Sequence, residues 1–577
     1  MNSFIVCRGT DGAKKSKTLI ARLGALGFDF QILHENPAFT LLVGGLGPRD
    51  DATIERLDNG DYIVSAGLFA FGDYYGRRAL RRFYEEFEPT HPAVDGTQGT
   101  FALAIYKSGA LSLLTDELGV YKIYRDREGS VISNLFVAVA EATANPEVDV
   151  QGCYEYAWNG GGFGERTFFR NIATIPCADT ALLKDNLIFL PRKRRNYREH
   201  EPTDGTLNGY LDLHIERCRS LFRHYASWFG GDINLSLSGG YDSRLLLALL
   251  LDVGVQPHVF TYGHDDDEDC RIAKSIAASE GLDYERIDKD RSDKIPVSQY
   301  KDLLIRNYAY FDGWKNGGLF DNGADFTDRA ARVRGGRVKM NGGGGEIYRN
   351  FFYLHDGSYF PREIVWSFYS RYAPAACTDL FDSAAYEMAV ANTICKAIGS
   401  DGGRLSRQAV ELIYPLFRNR YWTARVQSEN HAFGPCLLPF LEPTLVEGSC
   451  DIPIKFKSYG RFEGAMIRRL NPRLAALPSV YGFSFAAPPP ASYIFKAQLT
   501  YCRPTWLRRY SYRLQHRRHQ EFPYFLDKPY LQSVMDASFP YMSKLFRIEA
   551  IHDPEVLNRV ATMEFVCQRM DANIVPC

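Results

Sequence analysis

The chain has 577 residues, 45% hydrophobic and 24% charged, with a formal net charge of −1. This is the balance of a globular protein, the length predicts about two to four domains, and the charge gives no reason to expect a nucleic acid or an anionic membrane as partner. Twelve cysteines without a Cys-x-x-Cys pair do not form a disulfide framework. The longest apolar run, residues 245–251, is too short to span a bilayer. The N-terminus lacks the order of a secretory signal, so we expect a cytoplasmic location.

The first 200 residues contain short apolar segments separated by turns. Their spacing is typical of an antiparallel, β-rich domain. The predicted strands are residues 4–6, 40–43, 62–69, 101–106, 111–114, 131–132, 180–183 and 187–190. A polar and charged stretch, residues 192–208, then separates this half from the rest of the chain.

From about Tyr210 the pattern changes to alternating helices and strands. We predict helices at 211–228, 244–251 and 269–280, and strands at 233–237 and 258–262. Such alternation indicates a parallel sheet with helices on both faces, and such sheets bind ligands beyond the carboxyl ends of their strands. Beyond about residue 360 the chain is helical and rich in aromatic residues. The predicted fold class is therefore α+β followed by α/β.

The loop between the first strand and helix of this second half reads Ser-Gly-Gly-Tyr-Asp-Ser. Its glycines allow positive φ angles, so we expect backbone N–H groups to close on an anion at the helix N-terminus. Serine hydroxyls donate to phosphate oxygens, and aspartate suits Mg²⁺. The chain has no Gly-Lys-Ser/Thr segment, so this is not a Walker A motif. The predicted pyrophosphate site for ATP consists of Ser238, Gly239, Gly240, Tyr241, Asp242 and Ser243. An ordinary strand–turn–helix junction is the alternative.

Two further segments are candidates for the same site. Four adjacent glycines at 342–345 cost backbone entropy, which is justified where backbone approaches a ligand closely. We expect Gly343 and Gly344 to make that approach and Glu346 to offer a second oxygen to Mg²⁺; a flexible surface loop is the alternative. In the acidic stretch at 264–269, most carboxylates suit a solvated loop and a helix N-terminus. Asp269 is the one with an alternative place near nucleotide or metal.

In order and spacing these motifs resemble the asparagine synthetase superfamily. In the first half, residues 99–106, 115–124, 133–134 and 167–172 look like the family's GxFA, RDxxGxxPLYY, SE and TxFxxI segments. In the second half, 238–243 matches SGGxDS, 341–346 resembles SGxGxDE, and 439–453 resembles PFLD, LVE and P.

The resemblance implies a fold of two domains. Residues 1–200 would form a degenerate glutaminase-like (class II amidotransferase) domain, an Ntn-hydrolase-like β-sandwich flanked by helices. Residues 205–577 would form an ATP-pyrophosphatase domain, with an adenine-nucleotide α-hydrolase-like parallel sheet and a helical C-terminal part. The implied cofactors are ATP and Mg²⁺, with Asp242 and Glu346 holding the metal and Tyr262 and Gly263 facing adenine.

The departures from the family pattern concern catalytic residues. Glutamine-hydrolysing members have a nucleophilic Cys after Met1, where this chain has Asn2; Cys7 is an alternative only after removal of six residues. The first half is therefore expected to supply no ammonia. Family members also have a lysine after the LP segment that stabilises charge during acyl transfer, and its place here, 478–483, has none. Either Lys455, Lys457 or Lys496 stabilises this charge instead, or the chemistry has changed. Of the three lysines, Lys455 is our catalytic candidate.

We therefore expect an ATP-dependent, AMP-forming carbon–nitrogen ligase that uses Asp242, Glu346 and Lys455. A small-molecule or peptide carboxylate is adenylated, and ammonia or an amine of the substrate displaces AMP, as the family's β-lactam synthetases and lasso-peptide cyclases do. The alternatives are asparagine synthesis from aspartate and ammonia, and a catalytically silent nucleotide-binding regulator. No nucleic acid or membrane partner is expected, and the chain is a candidate homodimer. Six arginines at 503–518 form either a solvated helix face or a surface for an acidic or phosphorylated substrate.

Overall fold

The computed structural model describes residues 2–47, 50–184, 186–193, 195–197, 205–290, 293–515 and 520–574. The strands of these residues are, in chain order, β1 Ser3–Arg8, β2 Phe28–Glu35, β3 Phe39–Leu46, β4 Ile54–Arg56, β5 Tyr62–Gly67, β6 Ala70–Phe71, β7 Tyr74–Tyr75, β8 Thr97–Gln98, β9 Phe101–Lys107, β10 Ala110–Thr115, β11 Tyr124–Asp126, β12 Val131–Ser133, β13 Ile172–Thr174, β14 Asp179–Leu183, β15 Leu187–Pro191, β16 Ile233–Ser236, β17 His258–Tyr262, β18 Tyr284–Ile287, β19 Val338–Met340 and β20 Cys436–Leu437.

The α-helices of the same residues are α1 Gly12–Gly24, α2 Arg77–Glu86, α3 Phe136–Ala142, α4 Val150–Asn159, α5 Leu207–Phe229, α6 Tyr241–Asp252, α7 Glu268–Glu280, α8 Val297–Tyr310, α9 Ala324–Arg332, α10 Pro361–Ile364, α11 Ser383–Ile398, α12 Arg407–Ile413, α13 Asn419–Tyr421, α14 Thr423–His431, α15 Pro443–Val446, α16 Ile454–Lys457, α17 Arg461–Leu470, α18 Pro472–Ala476, α19 Ala491–Tyr501, α20 Thr505–Gln515, α21 Lys528–Gln532 and α22 Pro554–Met570. None of these described helices is both long and apolar enough to cross a membrane.

The first half of the chain is built on two six-stranded antiparallel sheets. Their strand orders are β13-β11-β12-β1-β3-β2 and β15-β14-β10-β9-β5-β4. Alternate residues of a strand face opposite sides of its sheet, so Phe4 and Val6 of β1 share a core with Val64 of the second sheet, while Ile5 packs with Leu19 of α1 on the other side. Helix α2 covers the outer face of the second sheet. The result is a β-sandwich with a helix on each side.

The second half contains a five-stranded parallel sheet. Its order is β18-β17-β16-β19-β20. β17 pairs with one edge of β16, and β19 pairs with the other edge. The strand order therefore reverses at β16, and α/β sheets bind their ligands at such a point. Helix α6 after β16 is anchored by an unbroken buried run, residues 243–250. The mixed α/β class, antiparallel sheets followed by a parallel sheet, is confirmed.

The largest hydrophobic core contains residues from both halves of the chain. Phe136 of α3 and Trp158 of α4 lie in it together with Phe565 of α22. The buried Asp312 carboxylate accepts the backbone N–H groups of Phe136 and Val137, at 3.0 and 2.9 Å, and so neutralises the N-terminal end of α3. The stretch at 192–208, which we expected to separate the two halves, lies partly outside the described residues. The antiparallel sheets precede it and the parallel sheet follows it, but the two halves share one hydrophobic core.

Candidate functional site

The 238–243 loop joins the carboxyl end of β16 to the start of α6. Ser243 Oγ accepts the Ser238 N–H and lies 3.0 Å from Ser238 Oγ, so both hydroxyls are engaged within the loop. Neither loop glycine has a positive φ, and Gly240 begins α6 at φ −84°; the expectation of positive φ is therefore wrong. Gly239 is required by packing instead, because a Cβ there would lie 2.5 Å from Val480 Cγ1.

The Gly239 N–H, which we predicted to bind phosphate, is occupied by the chain itself. It donates to Asp269 Oδ1 at 2.7 Å. Asp269 lies in the first turn of α7, where a carboxylate is favoured by the helix dipole. An internal carboxylate therefore lies where the sequence predicted an anionic ligand, and Asp269 is adjacent to the loop as its alternative assignment required.

Asp242 faces a guanidinium group that the sequence analysis did not identify. Arg349 Nη2 donates to Asp242 Oδ2 at 2.5 Å and lies 3.5 Å from Glu346 Oε1. Arg349 Nε lies 3.2 Å from Glu463 Oε2, a side chain of α17 that is fully buried. Tyr414 donates a short hydrogen bond to the other Glu346 oxygen. We call Asp242, Glu346, Glu463 and Arg349 the carboxylate cluster.

The pKa values in this cluster are shifted by burial and by mutual repulsion. Burial, with the neighbouring Glu346, raises the pKa of Asp242 to about 6 although Arg349 opposes the shift. Burial and Asp242 hold the pKa of Glu463 well above its usual range. Burial opposes the charge of Arg349, but the three carboxylates outweigh it and keep its pKa well above the ordinary value. Ionised Asp242 disfavours ionisation of Glu463, which raises the pKa of Glu463.

As arranged, the carboxylate cluster does not fit a resident magnesium ion. The two predicted ligands, Asp242 and Glu346, do converge, and Mg²⁺ prefers such oxygens. The Arg349 guanidinium already bridges them, however, and no set of three or more His, Cys, Asp or Glu side chains among the described residues is arranged to hold a metal. The positive charge at this place is supplied by the protein.

The glycine run at 342–345 packs against Asp242. A Cβ on Gly345 would lie 1.9 Å from Asp242 Oδ1, and one on Gly342 would lie 3.0 Å from Asp242 Cβ. Gly344 has φ +102° and lies against Leu441, and Gly343 donates its N–H to Asn341 Oδ1 at 2.7 Å. The close approach that we predicted is real, but the partner is a side chain of the protein.

The aromatic residues predicted to bind the nucleotide are engaged elsewhere. The Tyr241 ring is buried, stacks on Phe485 with centroids 4.2 Å apart, and is a packing residue beneath the loop. Tyr262 donates to Asp328 Oδ2 at 2.6 Å. Gly263 has φ +138° and continues the ladder to β18 by donating to Ile287 O. The backbone of Gly263 remains at the carboxyl end of the sheet, whereas the two tyrosine side chains have structural partners.

The structure does not bring Lys455 to the carboxylate cluster. Lys455 is exposed and lines a separate cavity of about 430 Å³ beside Phe456 and Gly460. Of the alternatives, Lys457 is buried and paired with Glu411 at 2.7 Å, and Lys496 is exposed. The catalytic role predicted for Lys455 has no support from this geometry.

Arg244 follows Ser243 on α6, and it fixes the segment that covers the loop. Its buried guanidinium donates to Leu477 O at 2.9 Å and to Pro478 O at 2.6 Å, and lies 4.7 Å from the Phe485 ring centre. Burial lowers its pKa to about 10. The Arg244 side chain therefore holds residues 477–485 against α6.

The residues examined as glutaminase nucleophiles are structural. The buried Asn2 side chain donates to Asp50 O at 2.7 Å and Thr53 Oγ1 at 2.8 Å, and accepts the Asp50 N–H at 3.1 Å. Cys7 is fully buried near the end of β1, and burial raises the pKa of its thiol to about 12. A thiol held in its protonated form inside a sheet is a poor nucleophile.

Comparison with known proteins does not assign a family. No family model matches the chain, and no curated protein matches it. Among solved structures, it is similar to a glutamine phosphoribosylpyrophosphate (PRPP) amidotransferase from B. subtilis complexed with ADP and GMP, at 10% identity and a TM-score of 0.21. The match covers 50% of this chain and 65% of that one. A likeness at this level does not establish a shared fold.

Proposed function

We propose that the chain is an ATP-dependent, amide-forming ligase related to the asparagine synthetases, with a first half that is structural. In this reaction a carboxylate oxygen of the substrate attacks the α-phosphorus of ATP, and the bond to the β-phosphate breaks to release pyrophosphate. An amine nitrogen then attacks the acyl carbon, loses a proton, and displaces AMP. The metal of this proposal comes with the substrate, because ATP is used as its magnesium complex.

One observation carries the proposal. The 238–243 loop lies at the carboxyl end of β16, where the strand order reverses, and the carboxylates of Asp242 and Glu346 converge beside it from two different loops. The N-terminus of α6 and the Ser238 and Ser243 hydroxyls are groups that interact well with phosphate. To bind at this place, the nucleotide must displace Asp269 from the Gly239 N–H.

A second candidate is a catalytically silent regulator that binds a nucleotide at this site without turning it over. The contact that favours it is the Arg349 guanidinium among the three carboxylates, which already supplies the positive charge that a nucleotide-bound metal would bring. The exposed position of Lys455 favours it as well.

Two measurements made side by side distinguish these functions. Binding of ATP is measured by calorimetry, and ATP–pyrophosphate exchange is measured with a panel of carboxylates that includes aspartate. The ligase predicts exchange that Asp242→Asn lowers at least about 100-fold, whereas Asp252→Asn, at the far end of α6 and paired with Arg219, leaves it unchanged. Exchange with aspartate alone would identify asparagine synthesis.

ATP binding without exchange for any carboxylate would favour the silent relative over the ligase. Absence of ATP binding at millimolar nucleotide would refute both nucleotide-based proposals.

A further inference from the structure

A cleft of about 650 Å³ opens beside Glu346 and Arg349 and extends away from the 238–243 loop. This volume suits a small organic ligand. Its walls come from both halves of the chain and are largely aromatic. The aromatic lining residues are Trp158, Phe351, Phe352, Tyr353, Trp366, Phe368, Tyr421 and Trp422.

The charge of this cleft is predominantly positive. Three carboxylates line it, those of Glu346, Asp553 and Glu555, against six arginines. The six are Arg349, Arg371, Arg418, Arg503, Arg508 and Arg559.

Four of the six arginines are occupied by the protein. Arg349 belongs to the carboxylate cluster, and Arg503 donates to Ser511 Oγ at 2.8 Å. Arg508 donates to the carbonyls of Phe352 and Tyr353, both at 2.8 Å. Arg559 pairs with Glu555 and also donates to backbone carbonyls.

The side chains of the other two, Arg371 and Arg418, have neither an ion pair nor a hydrogen bond to any part of the chain that the structure describes. In Arg418, which is half-buried, Nε and Nη1 are shielded from solvent and lack an acceptor. Its guanidinium carbon lies 4.4 Å from the Trp422 ring centre. Stacking on an aromatic ring supports a cation, but it leaves these N–H donors free to bind an anion that enters the cleft.

The two free guanidinium groups lie on one aromatic ring. Their central carbons are 4.4 Å (Arg371) and 5.8 Å (Arg418) from the centre of Phe368, so they are at most about 10 Å apart. Two like charges at this distance repel each other unless an anion lies near both. A carboxylate or phosphate accepts the parallel N–H groups of a guanidinium in a bidentate manner.

The backbone around these residues is irregular in a way that is typical of binding sites. Phe368 lies on a π-helical turn, Val365–Tyr369, and Arg418 ends another, Tyr414–Arg418. Pro415 explains the second turn, because it has no N–H to donate within the helix. π-Helical turns are rare and often occur at functional sites.

We propose that this cleft is a substrate site in which Arg418 and Arg371 bind a carboxylate or phosphate group while the aromatic walls hold the rest of the molecule. The bound anion lies in the same cleft as Glu346 and Arg349. The identification of this ligand as the acyl substrate rests on the proposed ligase; the anion site does not.

Tryptophan fluorescence and calorimetry test the site without ATP. Three of the six tryptophans of the chain, at 158, 366 and 422, line the cleft. The probes are L-glutamyl-L-glutamate for the carboxylate arm and inorganic phosphate for the phosphate arm, each against sodium chloride of equal ionic strength. At least one probe is expected to bind, and Arg418→Met is expected to weaken that binding at least about tenfold.

The controls separate a lost charge from a lost fold. Arg371→Met removes an exposed side chain and is expected to weaken binding without changing the melting temperature. Arg78→Met, on α2 outside the cleft, removes an equally exposed arginine and should leave binding unchanged. Preference for one probe identifies the anion.

Two outcomes would overturn the cleft proposal: no binding of either probe to the unaltered protein, or equal binding in the Arg371→Met and Arg78→Met variants. Binding that depends on Arg371 in a protein without ATP–pyrophosphate exchange would support the cleft while refuting the ligase. ATP–pyrophosphate exchange in a protein whose probe binding is unaffected by these variants would support the ligase while refuting the cleft.

Discussion

Replacement of Arg349 by methionine tests whether the guanidinium takes the place of a metal. The side chain is about one-fifth exposed and contacts three carboxylates at 2.5, 3.2 and 3.5 Å. Removing one partner of such a buried pair typically costs 3–5 kcal/mol of stability. We expect about 3 kcal/mol here, because carboxylates left without Arg349 become partly protonated and so lose part of their charge. If the chain melts as one unit, with about 2.1 cal/mol/K of unfolding entropy for each residue, the melting temperature falls by about 2 to 3 °C.

The loss in Arg349→Met depends on pH in a defined direction. The pKa of Asp242 is raised from 3.8 to about 6, and that of Glu463 is raised well above its usual range. The folded state therefore binds these protons more tightly than the unfolded state, so the associated stability is complete below about pH 4 and is lost as the pH rises through 6. Without Arg349 both pKa values rise further. The variant should consequently lose more stability, relative to the unaltered protein, at pH 8 than at pH 5.

Melting curves at pH 5 and pH 8, with and without magnesium, are the assay. Magnesium at 100 times its dissociation constant restores about 2.7 kcal/mol if the vacated carboxylates bind it, whereas the unaltered protein gains nothing at this site. Arg349→Lys keeps the charge and Arg371→Met removes an arginine that lies outside the cluster, so both controls should melt nearer to the unaltered protein. A variant as stable as the unaltered protein at pH 8, or one that is weakest at pH 5, would refute this electrostatic account.

Three further predictions follow from individual contacts. Asp269→Asn removes a negative charge beside the Gly239 N–H, so calorimetry should show pyrophosphate binding about fivefold more tightly, about 1 kcal/mol; unchanged affinity would contradict the role given to Asp269. Burial lowers the pKa of His214 to about 3, so its contribution to stability is complete above about pH 6.5 and declines as the pH falls toward 3; His214→Phe should therefore melt higher than the unaltered protein at pH 4.5, and a lower melting temperature there would count against it. Asn2→Cys should lose about 1–3 kcal/mol because the Asp50 N–H loses its acceptor, and it should release no ammonia from glutamine; measurable ammonia release would show that the first half retains a working site.

The position of the 238–243 loop could be predicted from sequence because a local pattern encodes it. An apolar strand, a Gly-Gly turn and an apolar helix are adjacent in the chain, and the structure places them in that order at the carboxyl end of β16. The strands of the first half were predicted where apolar residues alternate. Seven described strands of the first half were not predicted, β2, β4, β6, β7, β8, β11 and β13. Six of them are only two or three residues long, and β2 has an outward face that is exposed and polar over much of its length.

The side-chain contacts within the site could not be predicted, because they join residues that are far apart in the chain. Arg349 and Glu463 are 114 positions apart, and each is one charged residue among many, with no neighbouring pattern to mark it. The glycine run was predicted to approach a ligand closely, and the structure packs it against a side chain of the protein. Its partner, the Asp242 side chain, could be identified only from the folded arrangement.

The packing of α3 and α4 joins the β-sandwich to the second half of the chain. Severing the polypeptide near residue 200 would expose Phe136 and Trp158 on one fragment and Phe565 on the other to water, at a cost of several kcal/mol in buried apolar surface. The β-rich half and the remainder of the chain therefore share apolar surface that neither buries alone. Attempts to purify residues 205–577 in isolation should therefore yield aggregates.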